Sequence, residues 1–396
     1  MQILLLDGGL GTTLESPPFN ITFTPETPLW SSHLLFSSPA TLAAAHRAFY
    51  VAGADILLTA TYQASVEGFA RTEAADGKQD ALRYMRSAIP LVRGVIPRTR
   101  TSPAVVTIAE AQTQTQTQPQ AQTQMQTPGA RPCRVALSLG PYGATLSPVS
   151  AEYSGLYPAE MDREDALRRW HAERLRVFAG DAGSWDGVEY VAFETLRRAD
   201  EVRAVRGAVF DVVGRGRSPG RKAWWVCGVF PGEEEDDVPE DDVRRWVRAA
   251  VAGDSSGSGS GMPRPWGLGV NCTRVDRVAR IVDIMRDEIR RLCEDGRFVD
   301  EWDASSGRPW LVLYPDGTKG EKYDPVAKTW VAGGTAVRRP WDESLWDVVQ
   351  RQAEGDWEGI IIGGCCRAGP DDIAALRRRI DGDKTRGGCI LTDPVP

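Results

Sequence analysis

The apolar positions of this chain fall into short runs that alternate with longer stretches of helical spacing. Gln2 to Leu6, Ala54 to Thr61, Arg134 to Leu139, Val188 to Phe193, Ala223 to Phe230, Gly267 to Thr273, Trp310 to Leu313 and Gly359 to Ile362 are brief and often β-branched, and most end at glycine, proline or polar residues. Runs of this kind read as strands buried on both faces of a parallel sheet. Between them, Pro39 to Ala52, about Lys78 to Val92, Met161 to Phe178, Ala199 to Val213, Val275 to Leu292 and Asp342 to Gln352 carry the helical period. Leu167, Trp170, Leu175 and Phe178 illustrate it. A fifth helix ahead of Asp254, and one opened by Pro370 in its first turn, complete eight strand–helix units.

Strict alternation predicts an α/β fold, and eight units in one chain favour a closed (β/α)8 TIM barrel over an open doubly wound sheet. The barrel makes a demand that the sequence meets, since reactive residues belong at the C-terminal ends of its strands. Asp7, Thr59, Glu194, Asn271, Cys272, Cys365 and Cys366 all fall there. Residues 1–396 therefore read as one barrel with insertions at about 99–132, 253–264 and 295–308. The first alternates Thr and Gln from Gln112 to Gln126 and cannot bury a core, the second is Ser/Gly-rich, and the third is polar. Deleting residues 110–127 is expected to leave stability and turnover nearly unchanged, because loop-closure cost changes slowly with length. A clear fall in melting temperature would show that the tract packs.

The stretch Gly363-Gly364-Cys365-Cys366-Arg367 puts two thiols at the end of the eighth strand. Adjacent strand residues face opposite ways, so one ligand can take both sulfurs only if the backbone bends, which the two glycines permit. A catalytic zinc wants three protein ligands and one open position. Cys272, at the end of the sixth strand, is the candidate third ligand, and alternate strands of a barrel fill the same layer. Two other readings stay open for Cys365 and Cys366: small buried hydrophobes, or a strained vicinal disulfide. Asp7-Gly8-Gly9-Leu10-Gly11-Thr12 lacks both the dinucleotide spacing and the Lys-Ser/Thr of a phosphate loop.

A net charge of −7, with basic residues scattered among acidic ones, offers no face for nucleic acid. Seven dispersed cysteines, an apolar N-terminal run interrupted by Asp7, and no stretch near the ~20 apolar residues of a membrane span lead us to expect a reducing, cytoplasmic setting without a membrane partner. Asp393-Pro394-Val395-Pro396 matches no retention or peroxisomal signal.

Taken together, Asp7-Gly8-Gly9-Leu10-Gly11-Thr12, Ala52-Gly53-Ala54-Asp55, Thr61-Tyr62-Gln63-Ala64-Ser65, Gly140-Pro141-Tyr142-Gly143-Ala144, Glu194-Thr195, Gly269-Val270-Asn271-Cys272-Thr273 and Gly363-Gly364-Cys365-Cys366-Arg367 resemble the zinc-dependent homocysteine S-methyltransferases. The Asn-Cys-Thr and Gly-Gly-Cys-Cys-Arg pieces carry most of the specificity. The resemblance implies that Cys272, Cys365 and Cys366 bind Zn2+, which takes the homocysteine sulfur. It implies also that Asp7 and Glu194 hold the amino group, and we expect Thr59 and Asn271 to be further substrate contacts. The implied donor is a methylated sulfonium, S-methylmethionine or S-adenosylmethionine, and Trp30, Tyr62, Tyr142 and Tyr153 are candidate aromatic faces for its cation. Two departures stand out: Ala60 where many members carry Asn, and Ser147-Pro148-Val149-Ser150 where a more acidic, glycine-rich stretch is usual. The alternative function is a barrel that binds homocysteine or zinc without turnover.

Overall fold

The computed structural model describes residues 1–24, 27, 29–72, 76–97, 131–146, 151–214, 222–232, 237–253, 262–298, 307–318, 321–324, 329–332, 339–352 and 356–385. The expected insertions fall mainly outside these residues, as do Ser147 to Ser150 and Cys389. Eight barrel strands appear in chain order: β1 (Gln2–Leu5), β2 (Ile56–Leu58), β3 (Arg134–Leu139), β4 (Tyr190–Phe193), β5 (Ala223–Gly228), β6 (Gly267–Arg274), β7 (Trp310–Asp316) and β8 (Gly359–Ile362). Their main following helices are α1 (Pro39–Ala52), α2 (Lys78–Val95), α3 (Glu164–Ala179), α4 (Ala199–Val213), α5 (Glu240–Val251), α6 (Val275–Glu294), α7 (Trp341–Arg351) and α8 (Pro370–Thr385). Every neighbouring pair in the sheet is parallel, in the order β1-β8-β7-β6-β5-β4-β3-β2. A parallel bridge from Leu6 to Ile56 joins its edges, with Asp55 N donating to Leu5 O at 2.7 Å and Asp7 N to Ile56 O at 3.1 Å. The sheet thereby closes into the expected barrel.

Two buried layers hold it. Leu5, Leu57, Val135, Val226, Leu268, Leu313 and Ile360 face outward and pack under the helices, while Leu4, Leu6, Ala192, Cys227, Val312 and Ile361 fill the interior. The N-terminal end of that interior is stoppered by aromatic rings. Trp266 stacks on Tyr190 at 5.6 Å and on Trp310 at 4.6 Å, and Trp225 leans on Tyr190 at 5.7 Å. Filling one end with rings leaves the other as the place for a cavity.

Differences from the sequence reading lie at element ends. β2 stops at Leu58 because the chain turns at once, Thr61 N donating to Thr59 O at 2.8 Å. α3 begins at Glu164, not Met161, because Met161 and Asp162 both donate to Pro158 O in a preceding turn. An antiparallel hairpin, Glu321–Asp324 with Thr329–Ala332, occupies the loop after β7 and was not anticipated. Strands of only four residues leave little periodicity to read. Among the described residues no helix is long and apolar enough to cross a membrane.

Candidate metal centre and substrate pocket

A cavity of about 210 Å³ opens at the C-terminal ends of the strands, lined by Asp7, Thr59, Glu194, Asn271 and all three candidate cysteines. After β8 the backbone is stitched to both neighbours. Gly363 N donates to Leu313 O, Gly364 N to Asp7 O and Cys365 N to Pro315 O, at 2.8–3.0 Å. On the β1 side Gly9 N reaches Ala368 O at 2.9 Å. A methyl at Gly8 or Gly9 would overlap the Ala368 or Cys365 carbonyl oxygen, so this approach needs glycine.

The bend brings the sulfurs of Cys272, Cys365 and Cys366 within 4.8 Å of one another, each partly exposed to the cavity. Cys272 and Cys365 are joined as a disulfide with Cα atoms 5.4 Å apart, and Cys366 keeps a free thiol. The vicinal Cys365–Cys366 pairing is therefore not the one formed. A joined pair offers no thiolates, whereas reduced, the three cysteines form a soft, all-sulfur donor set with room for one more ligand. This cluster is the group among the described residues that could hold a metal.

Cys272, Thr195, Trp30 and Arg367 have φ of 46°, 60°, 44° and 66°, left-handed values that are uncommon outside glycine. Such conformations gather at functional sites because the surroundings over-determine them. For Thr195 the restraint is visible. Asn271 Oδ1 accepts from Thr195 N at 2.8 Å, and Asn271 Nδ2 donates to Thr195 Oγ1 at 2.7 Å and to Cys272 Sγ at 3.2 Å. The Asn271 amide is thus committed to protein partners, and it orients Cys272. Thr59 is likewise engaged, accepting from Ser138 N at 3.0 Å and bonding Thr61 Oγ1 at 2.6 Å. Ser138 Oγ then donates to Glu194.

Both acids are buried, and among the described residues neither forms an ion pair. Asp7 is 1% exposed; Oδ2 accepts from Leu58 N at 2.9 Å, while buried Oδ1 has no hydrogen-bond partner among the described residues. Burial raises its pKa well above the ordinary carboxylate range, and the charge of Glu194 adds to the rise. Burial also pushes Glu194 up to about 7, against the pull of Ser138, Tyr314 and Arg174. Two buried carboxylates that repel each other and leave an oxygen unpartnered form a receptor for a cation with N–H donors.

Residues 4–380 match the family described as homocysteine S-methyltransferase. The chain belongs to that family. A homocysteine S-methyltransferase from Escherichia coli strain K12 is 29% identical over 378 residues, covering 96% of this chain and 95% of that protein. A selenocysteine Se-methyltransferase from Brassica oleracea var. italica is 27% identical over 377 residues, covering 95% and 88%. The metallated form of the Escherichia coli homocysteine methyltransferase MmuM superposes with a TM-score of 0.59 at 22% identity, over 96% of each chain, a likeness of fold.

In this family member, three of the four candidate donor-site aromatics, Trp30, Tyr62 and Tyr153, line the pocket. Tyr142 does not. Its ring packs edge-on against Tyr157 at 5.4 Å and Trp170 at 5.3 Å, because the 3-10 turn Tyr142–Thr145 directs it toward α3. Three pocket residues escaped the sequence reading. Tyr314 lines the cavity and pulls the Glu194 pKa down, and Arg71 is the one cationic side chain among the described lining residues. Glu152 sits on the short helix Ala151–Ser154, accepts from Tyr62 Oη at 2.7 Å, and is pushed up to about 7 by burial. Only the position of Tyr314 at a strand end could have flagged any of them.

Arg174, from α3, secures the rim. Buried at 5% exposure, it donates to the carbonyls of Ala64, Gly140, Thr61 and Tyr62 at 2.6–2.8 Å. Thr61 O and Tyr62 O keep backbone donors, Ala64 N and Gly140 N, so Arg174→Ala would chiefly strand the Ala64 and Gly140 carbonyls, at a cost of about 3–5 kcal/mol that a shift of the urea midpoint would register.

Proposed function

We propose that the protein transfers a methyl group from a sulfonium donor, S-methylmethionine or S-adenosylmethionine, to the thiolate of L-homocysteine, giving methionine. One observation carries the reading: three clustered cysteine sulfurs and an unpartnered Asp7 oxygen, with Glu194, line a single small pocket. Homocysteine has a thiol and an ammonium a few bonds apart and complements both. The cysteine set fits Zn2+, which Cys272, Cys365 and Cys366 would hold and which when bound supplies deprotonation of the substrate thiol near neutral pH.

The chain's own residues orient and exclude. Asp7 and Glu194 accept hydrogen bonds from the ammonium, and Ser138 keeps Glu194 aimed. Thr59 acts through Ser138, and Asn271 acts through Thr195 and Cys272. Trp30, Tyr62 and Tyr153 offer aromatic surface to the donor and displace water from the cation. The acceptor sulfur attacks the methyl carbon as the donor's sulfur–methyl bond breaks, and that bond pair returns to the donor sulfur as a neutral thioether. Cation and anion become neutral products, so a dry pocket favours the step.

The test is metal analysis of reduced protein, then a methyl-transfer assay with homocysteine and each donor in turn. Methionine formation supports the reading; metal and homocysteine binding without product would establish the non-catalytic alternative. Selenocysteine, named for one relative, is the natural second acceptor to assay.

A further inference from the structure

The pocket contains a further buried carboxylate, Glu152, to which the proposed homocysteine contacts give no role. Glu152 is 7% exposed, and among the described residues no lysine or arginine pairs with it. Its Oε2 is fixed by Tyr62 Oη. Both ends of that contact are braced. Arg174 and Gly140 N hold the Tyr62 carbonyl at 2.6 and 3.1 Å, and the Ala151–Ser154 helix packs so closely on Gly143 that a methyl there would meet Glu152 N at 2.7 Å. Beside Asp7 and Glu194, the lining of the same pocket therefore holds a further buried acid at Glu152.

Building on the methyl-transfer reading, we infer that Glu152, held by Tyr62, binds the α-ammonium group that both proposed donors carry and so helps select the donor. The sulfonium centre itself is the poorer partner. Its charge vanishes as the methyl leaves, so a carboxylate against it would stabilise the ground state over the transition state. An α-ammonium keeps its charge throughout, and a carboxylate can bind it equally in both states. Arg71, exposed at the pocket and donating to Thr145 O at 3.1 Å, is the cation available to the donor's carboxylate.

The test compares wild type with Glu152→Gln, both metal-loaded, using S-methylmethionine and its analogue without the amino group, (3-carboxypropyl)dimethylsulfonium. Glu152→Gln is expected to raise the Michaelis constant for S-methylmethionine roughly 10- to 100-fold while changing kcat and the homocysteine constant less than about threefold. The analogue should not distinguish the two proteins. An equal loss with the analogue, or a loss in kcat or in the homocysteine constant, overturns the assignment. Tyr62→Phe, which frees Glu152 without removing its charge, should give a smaller rise of the same kind. If wild type transfers methyl from neither donor, the methyl-transfer reading fails by itself. Calorimetric titration with S-methylmethionine then still decides this inference: tighter binding to wild type than to Glu152→Gln supports it, and equal binding overturns it.

Discussion

Cys272→Ser, Cys365→Ser and Cys366→Ser, purified under reducing conditions, are each expected to lose bound metal and methyl transfer while the barrel stays folded. Residues that merely orient a metal ligand cost about 10- to 100-fold when changed, so losing a ligand should cost more than roughly 100-fold in turnover. The informative variant is Cys366→Ser. Cys366 is outside the Cys272–Cys365 disulfide, so a site that needed only that pair would not notice its loss. Full metal occupancy and turnover in Cys366→Ser would sink the three-thiol centre. Cys293, exposed, and Cys133, at 8% exposure on the outer layer, are serine controls expected to retain both properties. Elemental analysis beside the methionine assay reads all five proteins.

Glu194→Gln should show two opposite effects. It is expected to weaken homocysteine by about 2–5 kcal/mol, the range for removing one partner of a buried charge pair, with donor affinity and metal content unchanged. Asp7→Asn should do likewise. The ligand-free protein should at the same time become more stable at pH 8. Glu194 in the folded chain titrates at about 7 against an ordinary 4.5, so between these values the folded state keeps a proton that the unfolded state has released. Stability from this group is therefore lost as pH rises from about 4.5 through about 7. Glutamine never ionises, and its advantage should reach about 3 kcal/mol at pH 8 and vanish near pH 4.5. Thermal unfolding of both proteins at the two pH values measures it. A Glu194→Gln protein no more stable than wild type at pH 8 would show that burial does not raise this carboxyl, and one whose donor constant rises instead would remove Glu194 from the amino-acid end of the site.

The barrel was legible because parallel strands buried on both faces write themselves as short apolar runs, and the cysteines because such strands deliver side chains at their C-terminal ends. What escaped depends on packing between distant segments. Nothing near Tyr142 shows that Trp170 and Tyr157 will claim its ring, and nothing near Asn271 shows that Thr195, 76 residues away, will absorb its amide. Glu152 reads as an ordinary loop carboxylate until Tyr62, 90 residues distant, is seen to bond it. Bond-level roles of this kind are set by which rotamer the assembled rim leaves open.

The three expected insertions share a topological address. They interrupt the chain between α2 and β3, α5 and β6, and α6 and β7, so the described chain around each re-enters the barrel where its strands begin, the end stoppered by Trp266 and Trp310. Substrates meet the opposite end. Lineages can thus lengthen or prune these connections without altering which molecules the protein selects, whereas a change of comparable size after β3 or β7 would rewrite selectivity. For an engineer, the Thr/Gln stretch is the place to splice a reporter or tether, because the described chain on its far side, at Arg134, enters the barrel at the end opposite the chemistry.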